Sequence, residues 1–430
     1  MEILLKRAGT YMAALVCYLL FSEQMFCQQI TPVSYPSGST VNYVRTWNAK
    51  APQTDRSKIL PTASIDSFLM NTQYVDGIGR PVQTVAKQQS PLKKDFIVAN
   101  AYNNLGQEKY KYLPFVSNSV GSTSNTDDGN FKMNPFQQDS AFSKGQYYGE
   151  TYYYSQENCE ASPLERIANS LPAGNSWVGS GVGTSIQYLN NTAVDSVRIW
   201  TIGDASASLP GTSTIYAAGT LVKTITTDEQ QKQVIEYKDK LGKLILKKVQ
   251  LASTPGTAHV GWLNTYYIYD ALENLRMVLQ PRAVELVMSN WVITSSIRDE
   301  LSFYYSYDDQ NRMTIKKVPG AGEVWMVYDK RDRLSMTQDA NLRTAGKWMV
   351  TIYDDQNRPV KTGLWTNSGD LSYHQSQATG TSNYYYPFNI EPTSGWELLT
   401  DKGYDDYLSL PTGAPSGNID GTNINGTNFF

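Results

Sequence analysis

Two histidines, three cysteines and forty carboxylates are the side chains of this 430-residue sequence to ask first for acid–base, nucleophilic or metal chemistry. His259 (GTAHVGW) and His374 (LSYHQSQ) stand far apart in unrelated contexts, so neither a nucleophile–base triad nor a histidine-rich metal site is expected. Both are expected at the surface or in loops. Cys17 and Cys27 fall in the first 27 residues, which leaves Cys159 alone. Its segment, YYYSQENCEASP, offers no neighbouring histidine to favour a thiolate, so an inert thiol is expected. Two acids for glycoside hydrolysis could meet in space, but most acids stand in turn sequences or polar loops. Asp127-Asp128-Gly129-Asn130 lacks the spaced ligands and distal Glu of a calcium loop and reads as a plain turn. The glycine-rich stretch 174–184 contains G-x-G without the strand and helix of a dinucleotide fingerprint. The expectation is a chain with no catalytic residue, no metal and no cofactor, hence not an enzyme.

The residues that recur in register belong to a repeated unit. It reads as an aromatic or β-forming residue, then Asp, two residues, a turn residue, then Arg and an apolar alternation. Copies begin at Tyr74 (YVDGIGRPVQTV), Tyr237 (YKDKLGKLILKKV), Tyr267 (YIYDALENLRMVL), Tyr305 (YSYDDQNRMTIKKV), Met326 (MVYDKRDRLSMT) and Thr351 (TIYDDQNRPVKTG). A weaker copy begins at Ala101. Aromatics before the Asp, Tyr269, Tyr307, Tyr328 and Tyr353 among them, can pack across a strand face. Asp76, Asp239, Asp270, Asp308, Asp329 and Asp354 can accept amide protons two residues on and fix a turn. Three residues after each stand Gly79, Gly242, Glu273, Asn311, Asp332 and Asn357, of which all but Glu273 are types that tolerate positive φ. The next position holds Arg80, Lys243, Asn274, Arg312, Arg333 or Arg358, where a cation reaches the Asp. Exposed, such pairs set register more than stability. Each unit is therefore expected to be a β-hairpin, and hairpins must stack to bury their apolar faces.

These units resemble the YD repeats of the RHS family, whose usual form is Tyr-x-Tyr-Asp-x-x-Gly-Arg-Leu. The order SPLERI, GNSW, YIYDALENLRMVLQP, FYYSYDDQNRMTIKKVPGAGEVWMVYDKRDR and YDDQNRPVKTG is similar to that family's N-terminal region of unknown function. The resemblance runs from about Tyr74 to Trp365 and is more specific in its later half. It implies repeats that coil into a hollow β-shell, in some members around a toxic C-terminal domain freed by cleavage at a conserved core. No core segment, cleavage motif or effector sequence is recognisable after Trp365. Glu273 and Asn274, where Gly and Arg are usual, mark one degenerate repeat.

The remaining sequence frames this assembly. Lys6 and Arg7 precede an apolar run from Thr10 to Phe21, too short to span a bilayer. A secretory signal over residues 1–27, cut near Cys27, is expected in preference to lipidation of Cys27. Export to the cell surface or medium follows. Residues 28–200 are expected to form a β-rich domain, with strands over Thr40–Trp47, Gln73–Val85 and Asp95–Leu113 and a polar surface loop near 116–146. Ser162-Pro163-Leu164-Glu165 reads as the capping box of a short helix ending near Ser170. Strands are expected from Val197 (VRIWTI), a partly helical link over Arg282–Glu300, a repeat region over 201–365, and an irregular polar tail over 366–430. Thirty Tyr, abundant Ser and Thr and a net charge of −3 favour a mainly all-β chain without a nucleic-acid partner. The expected role is an encapsulating scaffold whose partners are downstream repeats or an effector domain. The alternative is a glycan- or surface-binding module with Trp177, Trp262, Trp325 or Trp348 as platforms, although those rings are expected to pack inside.

Overall fold

The computed structural model describes residue 32 and residues 34–404, except 37, 53–54, 119–126, 206–207, 213, 381–383 and 391–393. The expected signal segment, with Cys17 and Cys27, lies outside the described residues. The chain is mainly antiparallel β and divides into two compact units at Gly183/Thr184.

In the first unit, β1 (Asn42–Ala49), β2 (Phe68–Val75), β3 (Pro81–Ala86) and β4 (Phe96–Ala101) pair in sequence order. Alternation sets the faces: Phe68, Met70, Thr72 and Tyr74 of β2 turn inward. β4 then splits between β5 (Tyr110–Tyr112) and β6 (Phe115–Val116), and β5 leads to β7 (Tyr154–Cys159) and β8 (Ile167–Leu171). The expected loop near 116–146 instead ends in helix α1 (Pro135–Gln146), which begins at a proline. No apolar stripe announces it, because it buries Gln138, Asp139 and Ser143 beside Phe136. Those polar groups are bonded, Gln138 Nε2 donating to Asn134 Oδ1 (2.7 Å), Gln138 Oε1 accepting from Asn118 N (3.3 Å) and Ser143 Oγ donating to Asp139 Oδ1 (2.9 Å). The capping-box expectation also fails. Residues 162–165 form the turn between β7 and β8, where Glu165 N donates to Ser162 O (3.1 Å) and Glu165 sits at φ 48°.

The second unit is a thirteen-strand meander in strict sequence order, counted among the described residues. Its strands are β9 (Thr184–Asn190), β10 (Val222–Thr227), β11 (Gln233–Lys238), β12 (Leu244–Gln250), β13 (Trp262–Tyr269), β14 (Leu275–Leu279) and β15 (Ser302–Tyr307). They continue as β16 (Met313–Lys317), β17 (Val324–Tyr328), β18 (Leu334–Gln338), β19 (Lys347–Tyr353), β20 (Pro359–Thr366) and β21 (Trp396–Asp401). Helices α2 (Pro281–Val287) and α3 (Ser295–Leu301) form the expected link, and α4 (Ala340–Thr344) joins β18 to β19. The VRIWTI segment makes only isolated bridges, Arg198 with Ile215 and Thr201 with Gly211, while Val197 and Trp200 enter the core. The tail is not irregular throughout: it supplies α5 (Leu371–Gly380) and the paired strand β21. One core joins Tyr237, Leu246, Tyr266, Met277, Leu279 and Tyr304 to the α2 face, and a second joins Val327, Met336, Trp348 and Val350 to Ala378, Tyr386 and Ile390.

Candidate functional site: the turn ladder

The six repeat turns share one geometry. At Asp308, the Asp N–H donates to Arg312 O (3.0 Å) and Asn311 N–H donates to Asp308 O (2.9 Å). The carboxylate Oδ1 accepts from Gln310 N (3.0 Å) and Arg312 N (2.9 Å). The same four bonds close the turns at Asp76, Asp239, Asp270, Asp329 and Asp354. The fourth residue is left-handed each time: Gly79, Gly242, Glu273, Asn311, Asp332 and Asn357. A one-residue register shift follows in every pair of strands, the bulge that a left-handed turn residue produces.

The second carboxylate oxygen takes the cation. Arg80, Arg312, Arg333 and Arg358 place Nε at 2.7–2.8 Å from the Oδ2 of Asp76, Asp308, Asp329 and Asp354. Bonds from the Arg80 backbone and side chain hold the Asp76 carboxyl below its ordinary range. The degenerate repeat is compensated. Asn274 lies 3.4 Å from Asp270 as a weak donor, and Arg276 supplies the missing charge at 3.6 Å, with both side chains of that pair almost fully buried. Glu273, in the glycine position, accepts Lys243 from the preceding hairpin at 3.2 Å.

The tyrosine before the Asp ties each hairpin to the one before it. The hydroxyls of Tyr269, Tyr307, Tyr328 and Tyr353 donate to the carbonyls of Leu244, Leu275, Met313 and Leu334, each being the residue after the preceding repeat's cation position. The same rings cover that cation: Arg312 lies 4.9 Å over Tyr328 and Arg333 4.7 Å over Tyr353. Arg312 Nη1 also reaches Asp332 Oδ1 (2.6 Å), and Arg333 Nη1 reaches Asn357 Oδ1 (3.0 Å). One guanidinium thus holds its own turn, the next turn and the next tyrosine.

Sequence grouping placed Tyr74 and Tyr237 with these tyrosines, and here it errs. Each stands two residues before its Asp, so strand alternation sends it to the opposite, buried face. There Tyr74 donates to Gly129 O (3.3 Å) and Tyr237 to Asp195 Oδ1 (2.9 Å). Other members were missed or underrated. Asn103 and Asp228 close identical turns, and Ser90 closes one with its hydroxyl in place of the carboxylate. Tyr102 clamps Arg80 (4.5 Å) and donates to Pro81 O (2.8 Å), while Tyr404 clamps Arg358 (4.6 Å) and donates to Pro359 O (2.9 Å). The readable signals were Tyr-Asn at 102–103, Asp-x-x-Gln-Lys from 228 and Tyr-Asp at 404–405. Glu160 with Arg166 (2.7 Å) is a longer version of the turn, and its carboxyl falls to about 2 through bonds from Arg166 and Ser162.

Most of the other candidate groups have partners within the fold. Both histidines are buried, against the surface expectation. His259 Nε2 meets the Tyr266 hydroxyl (2.8 Å) and His374 Nδ1 the Tyr386 hydroxyl (2.6 Å), and burial lowers each to about 4. A tyrosine hydroxyl partners one nitrogen of each ring, while His374 Nε2 is buried without a hydrogen-bond partner among the described residues. At the Asp127-Asp128-Gly129-Asn130 turn, the Lys132 ammonium bridges Asp95 (2.7 Å) and Asp128 (3.0 Å), so a lysine occupies the middle of the carboxylates. Lys248 lies fully buried, 4.8 Å over the Trp262 ring, donating to Thr257 O (2.8 Å); burial lowers it to about 8. Trp348 and Trp262 are buried and Trp325 and Trp177 half-buried. Cys159 is exposed. Among the described residues no cluster of three or more metal-ligating side chains occurs, and no helix is long and apolar enough to cross a membrane.

Residues 45–190 match a family described as a domain of unknown function, DUF6443. No curated protein matches the chain. Among solved structures, the crystal structure of TcdB2-TccC3-TEV is similar over 71% of this chain and 13% of that one, at 14% identity and a TM-score of 0.44. TcdB2-TccC3 without its hypervariable C-terminal region aligns with 70% of this chain and 12% of its own, at 16% identity and a TM-score of 0.44. The Tc holotoxin pore of Photorhabdus luminescens gives 70% and 13% coverage, 14% identity and a TM-score of 0.43. The chain therefore spans a small fraction of the length of the chains it matches.

Proposed function

We propose that this chain is a non-catalytic wall segment of an exported RHS-like protein, stacking hairpins into a shell for a downstream effector domain. The observation that carries the reading is the clamp repeated at six junctions among the described residues, from Tyr102 on Pro81 to Tyr404 on Pro359. Charges that an enzyme would aim into a cleft are spent here on register between neighbouring hairpins. Such a ladder grows one hairpin at a time and needs only its nearest neighbours, which suits a wall of arbitrary length. Export rests on Lys6, Arg7 and the apolar run to Phe21, and the effector partner rests on the repeat's resemblance to the RHS family.

Fractionated cells and medium, probed with an antibody against residues 28–365 before and after protease, test the reading. A protease-resistant band in the envelope or medium supports it. A band confined to the cytosol, or one digested as fast as a denatured control, overturns it. Asp308→Ala and Arg312→Ala are expected to lower stability locally and abolish no catalytic activity. Loss of a catalytic activity with the fold intact would defeat the non-catalytic part.

A further inference from the structure

The second unit has a cleft of about 380 Å³ between the Asp308–Arg312 turn and α5. Helical spacing gives α5 two faces. His374 and Ala378 enter the core, while Ser372, Gln375, Ser376 and Thr379 recur at intervals of three and four and line the cleft. Opposite stand Asp309, Gln310 and the half-buried ring of Tyr328, whose hydroxyl is already committed to Met313 O.

Hydrogen-bond accounting shows how little of this cleft's polar lining the fold itself uses. Among the described residues, the side chains of Asp309, Gln310, Ser372, Gln375 and Ser376 make no hydrogen bond or ion pair with protein, although they converge on one concavity. In the cavity of about 610 Å³ beside Arg333, Asp329 and Asp354 are spent on their arginines and Tyr385 on Asp355. In the cavity of about 790 Å³ in the first unit, Glu157 serves Lys111, Glu160 serves Arg166 and Glu165 accepts from Gln107. The cavity beside Arg333 also keeps Gln356 and Asn389 without a side-chain partner among the described residues, but in the α5 cleft two amides, two hydroxyls and a carboxylate converge beside an aromatic ring.

We infer that the α5 cleft binds a neutral saccharide. Two amides and two hydroxyls can each donate and accept, which matches a ligand made of hydroxyls. The volume falls in the range of small-ligand sites, and the Tyr328 ring, which also packs on Arg312, lines the wall as an apolar surface for the C–H face of a sugar. Arg312 is neutralised by Asp308 (2.7 Å) and Asp332 (2.6 Å), and Asp309 is free, so an anionic ligand would meet net negative charge. This ligand role is additional to the wall, and its failure leaves the ladder untouched.

Affinity electrophoresis of the native chain in gels holding dextran, laminarin, mannan or xylan tests the inference. Retardation in at least one gel is expected, with the retardation coefficient falling at least tenfold in Gln375→Ala/Ser376→Ala. Both positions lie on the solvent side of the helix, and a circular-dichroism melt checks that the variant folds; Asp309→Asn, which leaves α5 intact, provides a second variant expected to weaken binding. Unchanged mobility in all four gels overturns the inference. So does retardation that both variants retain, since binding would then lie elsewhere.

Discussion

Arg333→Met should be among the more damaging single changes on the ladder, and burial is the reason. The Arg333 side chain is 8% exposed and that of Asp329 1%, whereas the chemically identical Arg80–Asp76 pair is 34% and 22% exposed. Methionine preserves much of the stem volume but removes both bonds to Asp329 Oδ2 and the bonds to Asn357 Oδ1 and Asp354 O. The Asp329 carboxylate keeps two amide donors on Oδ1 and is left with an uncompensated buried charge. Removing one partner of a buried pair costs about 3–5 kcal/mol. For a unit of this size that lowers Tm by roughly 6–20 °C. Urea and thermal unfolding followed by tryptophan fluorescence read it directly, because Trp325, Trp348 and Trp365 lie in the same unit. Asp329→Asn/Arg333→Met should recover more than half of the loss, because the amide keeps an acceptor for Arg331 N and Arg333 N without the charge. Arg80→Met should barely move the transition. A loss under about 1 kcal/mol for Arg333→Met, or a double variant no better than the single, would refute the reasoning.

Gln231→Gly should stabilise the chain by about 0.5–1 kcal/mol, because Gln231 holds φ 63° with no side-chain bond to lose. Glu273→Gly should gain less, since it gives up Lys243; parallel urea titrations compare them. Tyr353→Phe removes the bond to Leu334 O but keeps the ring over Arg333, so a loss of about 0.5–1.5 kcal/mol is expected, well short of Arg333→Met. Asp139 sets an alkaline limit: burial raises its carboxyl to about 7, with Ser143 its hydrogen-bond partner. Its folded value exceeds the unfolded one, so this stability is complete below about pH 4 and is lost as pH rises through about 7. Asp139→Asn should therefore raise Tm at pH 8 and flatten the profile above pH 4. The buried His259 and His374 act in the opposite sense, their contribution being present above about pH 6.5 and lost as pH falls toward 4. Melts of wild type and variant from pH 4 to 9 separate the two limbs.

Much of the ladder was legible because its information is local. An Asp whose carboxylate binds amides two and four residues on, a left-handed fourth residue and a fifth-position cation all fall within five positions, so the turns at Asp76, Asp239, Asp270, Asp308, Asp329 and Asp354 could be read as hairpins from spacing alone. Local spelling also explains the failures. Ser162-Pro163-Leu164-Glu165 carries a helix-start signature, yet the Glu160–Arg166 pair and the partner strand make it a hairpin. α1 escaped notice because its buried face is polar, satisfied by Asn134 and by neighbours far along the chain.

What spacing could not show is which carbonyl each tyrosine reaches. Tyr353 finds Leu334 nineteen residues back and Tyr404 finds Pro359 forty-five back, because strand pairing, and not chain distance, brings one hairpin's aromatic onto the previous hairpin's cation. The same pairing decided burial, and burial decided energy: the same Asp–Arg spacing yields an open pair at Asp76 and a closed one at Asp329. Sequence determined the turn, since backbone conformation and a five-residue hydrogen-bond pattern are local properties. Tertiary structure alone decided which face each side chain met and how much water it kept, and therefore which rungs carry the stability.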